Sequence, residues 1–266
     1  MKLGFSGVGN MSSAIISGLL ESKDMQSVEI HAYSPSGPKS HIEFHQILKW
    51  HTSNAEMAQE VDILVLGVKP QMITSVVSEV AASGAKPLLV SLAAGVTLAT
   101  IENAAAPHTP VIRTMPNTPS AISQGMTGLF ANDLVNNEQR QFIDLLFKAI
   151  GQVLWLSEEQ KFHVLTAISG SGPAYFFQFT DMLIKAGEAL GLTHEEASTL
   201  AVQTAKGAGL LMAESGKPPV QLQKEVTSPN GTTFAATEVF KNDGIEALVL
   251  KAVDAAQNRS QELSKS

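Results

Sequence analysis

The segment VDILVLGV at residues 61–68 constrains the fold more than any other part of the chain. It is an apolar, β-branched run of strand length with no polar face to turn toward water. Such a strand is buried on both sides, so helices must cover both faces of its sheet. Residues 2–6 (KLGFS), 28–33 (VEIHAY), 88–92 (LLVSL), 111–115 (VIRTM), 126–130 and 152–156 read as further strands. Helical periodicity separates them. In 10–22, Met11, Ala14, Ile15, Gly18 and Leu19 share one face; in 138–150, Phe142, Leu145, Leu146, Ala149 and Ile150 do. Strands alternating with helices predict a doubly wound, Rossmann-like α/β domain over 1–157.

Beyond residue 158 the strand signals stop. Residues 160–187 and 194–214 carry long helical patterns, and Thr193 with Glu196 forms a capping box before the second. GKPP at 216–219 breaks the chain, and a short helix then reaches Val226. TSPNGT interrupts, and two more helices follow, divided near Asp243 and Gly244. An all-helical domain over 158–266 is expected. Its Ala- and Gly-rich stretch AKGAGLLMA permits close helix packing, inside the domain or across a subunit boundary.

Composition narrows the function. The 266 residues are 44% apolar and 16% charged, which excludes disorder. Net charge is −7 and no basic stripe is visible, so a nucleic-acid partner is not expected. With no cysteine there is no disulfide framework, thiolate zinc site or cysteine nucleophile. No apolar run reaches the length of a membrane span, and Gly and Ser break the first apolar stretch, unlike a signal peptide. A soluble, cytoplasmic protein is the expectation.

The chemistry concentrates in a few loops. GFSGVGNMS follows the first strand and opens the first helix. Gly7 permits the tight turn, Gly9 lets backbone approach a pyrophosphate, and the helix N-terminus offers free N–H groups. Ser12 stands where the third glycine of the fingerprint would be. The alternative is a glycine-rich turn without a ligand. The second strand ends Ala32, Tyr33, Ser34, Pro35, Ser36, with Lys39 following and no acid. Hydroxyls and a cation suit a 2′-phosphate, which favours NADPH over NADH. Lys69, in VKPQ after the most apolar strand, reads as a general acid, a cofactor contact or a solvated lysine. MPNTP at 115–119 is a rigid turn, and SGSGPAY at 169–175 and TSPNGTT at 227–233 each open a helix. Each of these helix starts is a plain cap or an anion site. The histidines at 31, 41, 45, 51, 108, 163 and 194 show no H-E-x-x-H and read as surface or structural, with no metal site. G-x-S-x-G is absent.

GFSGVGNM, LGVKPQ, RTMPNTP, ISGSGPAYFF and EVTSPNGTT occur in this order, and the chain resembles the pyrroline-5-carboxylate reductase family from residue 2 to about 263. The resemblance implies NAD(P)H-dependent reduction of a cyclic imine to L-proline, the last step of proline biosynthesis. It also implies a homodimer built by a helical domain, with larger assemblies of dimers up to a decamer. By this resemblance Gly7, Val8, Gly9, Asn10 and Met11 form the pyrophosphate loop, and Ser34 and Ser36 lie near the adenosine ribose or its phosphate. Asn54, Val68, Lys69, Pro70, Ala93, Ala94, Met115, Asn117 and Thr118 join the cofactor set. Ser171, Val226, Ser228, Gly231, Thr232 and Thr233 form the substrate set, with the Thr233 hydroxyl on the ring nitrogen. Backbone N–H groups of Gly231, Thr232 and Thr233 are expected to hold the substrate carboxylate.

Two departures stand out: Ser12 replaces the usual Ala, and Asn230 replaces the first Gly of a Gly-Gly pair. Asn tolerates a left-handed backbone, so the loop is expected to survive. Competing readings are a hydroxy-acid dehydrogenase using Lys185 or Lys206, an imine reductase of the same architecture, or a non-catalytic NADPH sensor. A sensor has no need of the SGSGP and TSPNGTT loops.

Overall fold

The computed structural model describes residues 1–25, 27–37 and 47–264. The chain divides into two compact units: Met1–Gly170 together with the stretch from Gln257 onward, and Ser171–Ala256.

The first unit is built on one sheet of β1 (Lys2–Ser6), β2 (Glu29–Tyr33), β3 (Lys49–Trp50), β4 (Ile63–Leu66), β5 (Leu88–Ser91), β6 (Val111–Met115), β7 (Gly125–Ala131) and β8 (Gly151–Trp155). Their spatial order is β3-β2-β1-β4-β5-β6-β7-β8. Helices α1 (Asn10–Glu21), α2 (Asn54–Glu60), α3 (Ile73–Ala82), α4 (Leu98–Ala104) and α5 (Asn137–Lys148) fill connections between strands. The both-faces burial expected of the 61–68 run is present. Ile63 and Val65 join the core that holds Phe5, Ile15, Leu19 and Phe147, while Leu64 and Leu66 join the opposite core with Ile73, Val77 and Ile101. Each such side chain contributes about 1.5–3 kcal/mol of burial.

Strands β1 to β6 run parallel, but β7 is antiparallel to β6. The reason is the link. Residues 116–124 hold only a 3₁₀ turn, whereas a parallel crossover needs about a dozen residues or more. The α5 connection is long enough, and β8 is parallel to β7. The two-residue β3 was not legible as a strand.

The 160–187 pattern is not one helix. It divides into α6 (Lys161–Leu165), a π-helical turn (Thr166–Gly170) and α7 (Gly172–Ala189). The compact units part at Gly170/Ser171. The cause is packing onto the sheet. Arg113 on β6, almost fully buried, pairs with Glu159 at 2.8 Å and lies 4.4 Å from the centre of the Phe162 ring. Glu159 also accepts the Leu98 N–H at 2.7 Å. The remaining helices match the sequence pattern closely: α8 (His194–Glu214), α9 (Pro219–Glu225), α10 (Thr232–Asn242) and α11 (Ile245–Leu263). The Thr193/Glu196 capping box makes both of its bonds.

Of the seven histidines, His41 and His45 lie outside the described residues. His31 and His51, twenty positions apart, form a buried pair with Nδ1 of His31 2.8 Å from Nε2 of His51. The ring centres are 5.1 Å apart and the planes differ by 12°, so the rings meet edge to edge. Glu29 accepts from His31 Nε2 at 3.0 Å, which leaves His31 Nδ1 as acceptor and His51 Nε2 as donor in the neutral pair. One carboxylate oxygen of Glu60 is near enough to complete a three-ligand cluster with the two rings. Yet the ring nitrogens face each other along a shared-proton line, and two zinc bonds of ~2.0–2.1 Å do not fit between them.

Burial lowers the His31 pKa below its ordinary 6.5, outweighing the opposing pull of Glu29. The sign follows by linkage. Below pH 6.5 the unfolded imidazole takes up protons first, so stability is full above that pH and falls as pH drops through it. Urea midpoints should therefore decline from neutral pH toward mildly acid pH. A His31→Leu/His51→Leu double variant should lose less over the same interval. An equal decline in both proteins would remove the pair as the cause.

Candidate active site

The first unit presents its loops at the carboxyl ends of β1, β4, β5 and β6. From β1 the chain turns to β2 on one side, while β4 takes the other, and such a reversal opens a ligand crevice. Gly7 has φ +87°, a left-handed backbone, and a Cβ there would sit 3.0 Å from the Gly67 carbonyl oxygen. Its N–H donates to the Tyr33 carbonyl at 2.8 Å. Gly9 is the N-cap of α1 and offers no capping side chain, and the first turn holds no acid. The first intrahelical bond comes from Ser13 N to Gly9 O, so among the described residues the N–H groups of Asn10, Met11 and Ser12 have no backbone partner and are free to meet an anion. A Cβ on Gly9 would meet no atom of the described residues within 4 Å. Tight backbone beneath and open space above are what a dinucleotide pyrophosphate requires, so these residues fit that group.

Ser12 does more than stand in for a small residue. Its hydroxyl donates to the Gly7 carbonyl at 2.8 Å and ties the helix to the turn. Ser34 and Ser36 lie past β2 with their hydroxyl oxygens 3.1 Å apart; Lys39 is outside the described residues. Asn54 is the first residue of α2. Its amide oxygen accepts from the Ser6 hydroxyl at 2.6 Å and its amide nitrogen donates to Glu79 at 2.9 Å. Val68, Lys69 and Pro70 follow β4, with Lys69 and Pro70 exposed. Ala93 is buried and Ala94 exposed after β5. Met115 ends β6. Asn117 holds its loop in place, accepting from Met126 N at 2.9 Å and donating to the Ser169 carbonyl at 3.1 Å, while Thr118 is exposed.

The second unit holds the residues expected to bind the substrate. Ser171 precedes α7, and Val226, largely exposed, closes α9. Residues 228–231 form a turn, with Gly231 N donating to the Ser228 carbonyl at 3.1 Å. Asn230 has φ +57°, so it adopts the left-handed geometry that the missing glycine would have supplied. The turn corrects one expectation. The Gly231 N–H is spent inside it and is not free for a carboxylate. Gly231 is instead the N-cap of α10, without a side-chain cap or an acid in the first turn. The first helical bond joins Ala235 N to Gly231 O, which leaves the N–H groups of Thr232, Thr233 and Phe234 free. Thr233 is half-buried, and its hydroxyl bonds to no protein group among the described residues. A small carboxylate with a neighbouring ring nitrogen matches this arrangement.

The lysine alternatives fare worse. Lys185 is exposed and paired with Asp181 at 2.7 Å, which raises its pKa above the usual lysine value, opposite to what an acid/base near neutral pH needs. Lys206 is exposed on α8. Residues missed by sequence reading are Arg113, Glu79 and the His31/His51 pair. Each acts through a partner distant in sequence, so no local motif marks it.

Comparison with known proteins agrees with both halves. Residues 2–95 match the family described as NADP oxidoreductase coenzyme F420-dependent, and residues 159–263 match pyrroline-5-carboxylate reductase dimerisation. That second region exposes Phe176, Phe177, Leu248 and Leu250. Pyrroline-5-carboxylate reductase of Pseudomonas aeruginosa is 41% identical, covering 99% of this chain and 97% of that protein. The Escherichia coli protein of the same name is 36% identical over 100% and 99% of the two chains. The structure of a pyrroline-5-carboxylate reductase from Coxiella burnetii superposes with a TM-score of 0.92 at 38% identity, covering 99% and 98% of the two chains. Plasmodium falciparum pyrroline carboxylate reductase with NADP bound gives 0.84 at 30% identity, with coverage of 99% and 98%. The chain belongs to the pyrroline-5-carboxylate reductase family.

Proposed function

We propose that this protein reduces the C=N bond of 1-pyrroline-5-carboxylate with NADPH, giving L-proline, with NADH as the weaker donor. The observation that carries the reading is the uncapped start of α10 with the free Thr233 hydroxyl beside it. Bound NADPH supplies the hydride that adds to the imine carbon. The chain's own residues bind and orient. Asn10, Met11 and Ser12 N–H groups hold the pyrophosphate at the α1 N-terminus, and Gly7, Val8 and Gly9 shape the turn beneath it. Ser34 and Ser36, with Lys39, take the 2′-phosphate, and no acid follows β2 to repel it. Val68, Lys69, Pro70, Ala93, Ala94, Met115 and Thr118 line the rest of the cofactor path. Thr232 and Thr233 N–H groups take the substrate carboxylate, with Ser171, Val226 and Ser228 around it. The Thr233 hydroxyl bonds the ring nitrogen and turns one face of the imine toward the hydride. A protonated imine is already electrophilic, so positioning carries the catalysis.

The same reading makes the protein a cytoplasmic homodimer joined through its helical region, with a decamer as the larger assembly. Among the described residues no helix is long and apolar enough to cross a membrane. The test is steady-state oxidation of NADPH, with NADH in parallel, on racemic pyrroline-5-carboxylate. Turnover that yields proline and favours NADPH is expected. Tight NADPH binding without turnover would sink the reaction and revive the sensor reading; turnover only with a six-membered imine would move the substrate.

A further inference from the structure

Three side chains from three elements form one hydrogen-bonded line behind the pyrophosphate turn. Ser6 ends β1 and is followed by Gly7. Its hydroxyl, buried, donates to the Asn54 amide oxygen at 2.6 Å. The Asn54 amide nitrogen donates to one carboxylate oxygen of Glu79 on α3 at 2.9 Å. The other Glu79 oxygen accepts the Ala55 N–H in the first turn of α2 at 3.2 Å. A carboxylate only accepts, so Glu79 dictates which end of the Asn54 amide faces it. The amide oxygen is thereby aimed at Ser6, and one N–H of the amide is left over. Among the described residues no Lys or Arg pairs with Glu79. Its partners are neutral donors, and its charge serves to hold them.

We infer that Glu79 is a positioning residue for the dinucleotide: its carboxylate orients the Asn54 amide and, through Ser6, holds the end of β1 from which the Gly7 turn departs. The inference rests on reading Gly7 to Met11 and Asn54 as dinucleotide contacts. Glu79 does not touch the ligand. It sets the direction of the one Asn54 N–H that can, and it ties the start of α2 to the strand that precedes the turn.

Glu79→Gln isolates this role, because it keeps size and shape but replaces one acceptor with an NH₂ group. That NH₂ must oppose either the Asn54 amide nitrogen or the Ala55 N–H, and relief requires the Asn54 amide to flip end for end, which turns its nitrogen toward the Ser6 hydroxyl and takes the spare N–H out of its wild-type direction. Titration of the protein with NADPH, followed by fluorescence, should give a Kd about tenfold higher than wild type, the usual scale for a bond to a charged group. The KM for NADPH should rise in step, while kcat at saturating NADPH and the KM for the imine stay level. Ser6→Ala cuts the line at its other end without touching a charge and should raise the Kd about threefold. If Glu79→Gln does not fold, Ser6→Ala decides alone. Kd values within about twofold of wild type in the folded variants would overturn the inference, as would a lower kcat and melting temperature at unchanged Kd. A wild-type protein that binds NADPH but leaves pyrroline-5-carboxylate untouched would defeat the proposed reaction and leave this affinity comparison intact.

Discussion

Replacing Thr233 by alanine should lower kcat/KM for pyrroline-5-carboxylate roughly ten- to hundredfold, the scale of one lost positioning hydrogen bond of ~1–3 kcal/mol. Thr233 is the second residue of α10, where the helix leaves N–H groups unpaired and no acid offsets the positive dipole end. Its side chain is half-buried and its hydroxyl makes no protein hydrogen bond among the described residues, so removing it orphans nothing in the free enzyme. The Thr233 carbonyl accepts from the Thr237 hydroxyl at 3.0 Å, and alanine retains that bond. Stability should hardly change, and NADPH affinity should not change, because the cofactor set lies on other elements. Thr233→Ser keeps the hydroxyl and should recover most of the loss. A Thr233→Ala enzyme with kcat/KM within about twofold of wild type would remove the hydroxyl from the mechanism. A loss matched by weaker NADPH binding would reassign it.

Much of this site was legible because its signals are short-range. The Gly7/Gly9 turn, the Thr193/Glu196 box and the Pro173 helix start are each spelled within a few residues, since capping and turn chemistry act over that distance. Asn230 is a sharper case. Its tolerance of left-handed backbone can be inferred from residue type alone, and the turn at 228–231 uses it. The spent Gly231 N–H was not legible, because a free helix N-terminus and a turn entering it compete for the same donor. Periodicity also cannot see a π-helical turn, and the 160–187 pattern reads continuously across one. Nor can it see direction: the apolar period of β7 is the same whether it runs with β6 or against it, and only the length of the link decides. Arg113 with Glu159, His31 with His51 and Asn54 with Glu79 are pairs made by the sheet. They lie 46, 20 and 25 residues apart, beyond the reach of any capping or turn motif.

Glycines 7 and 9 should fail in different ways when each is changed to alanine, and the difference tests the cofactor reading more severely than either loss alone. Gly7 sits at φ +87°, where an L side chain costs about 1–2 kcal/mol before any contact is counted. Its Cβ would also press on the Gly67 carbonyl and on Val68, 3.0 Å away in each case. Backbone is on one side of that contact, so the turn itself must move, and the Ser12 hydroxyl bonded to the Gly7 carbonyl moves with it. Gly7→Ala should lower the melting temperature by several degrees and weaken NADPH binding at least about thirtyfold, the sum of strain and overpacking. Gly9 has an extended backbone, φ −92°, that any residue adopts. Its Cβ would meet nothing among the described residues within 4 Å. Gly9→Ala should therefore melt with wild type yet bind NADPH at least about tenfold more weakly, because the methyl group fills the approach a pyrophosphate needs. Calorimetric melting and NADPH titration of the two variants separate these effects. Wild-type NADPH affinity in Gly9→Ala would mean that no phosphate approaches this turn, and the cofactor assignment at the α1 N-terminus would fall with it.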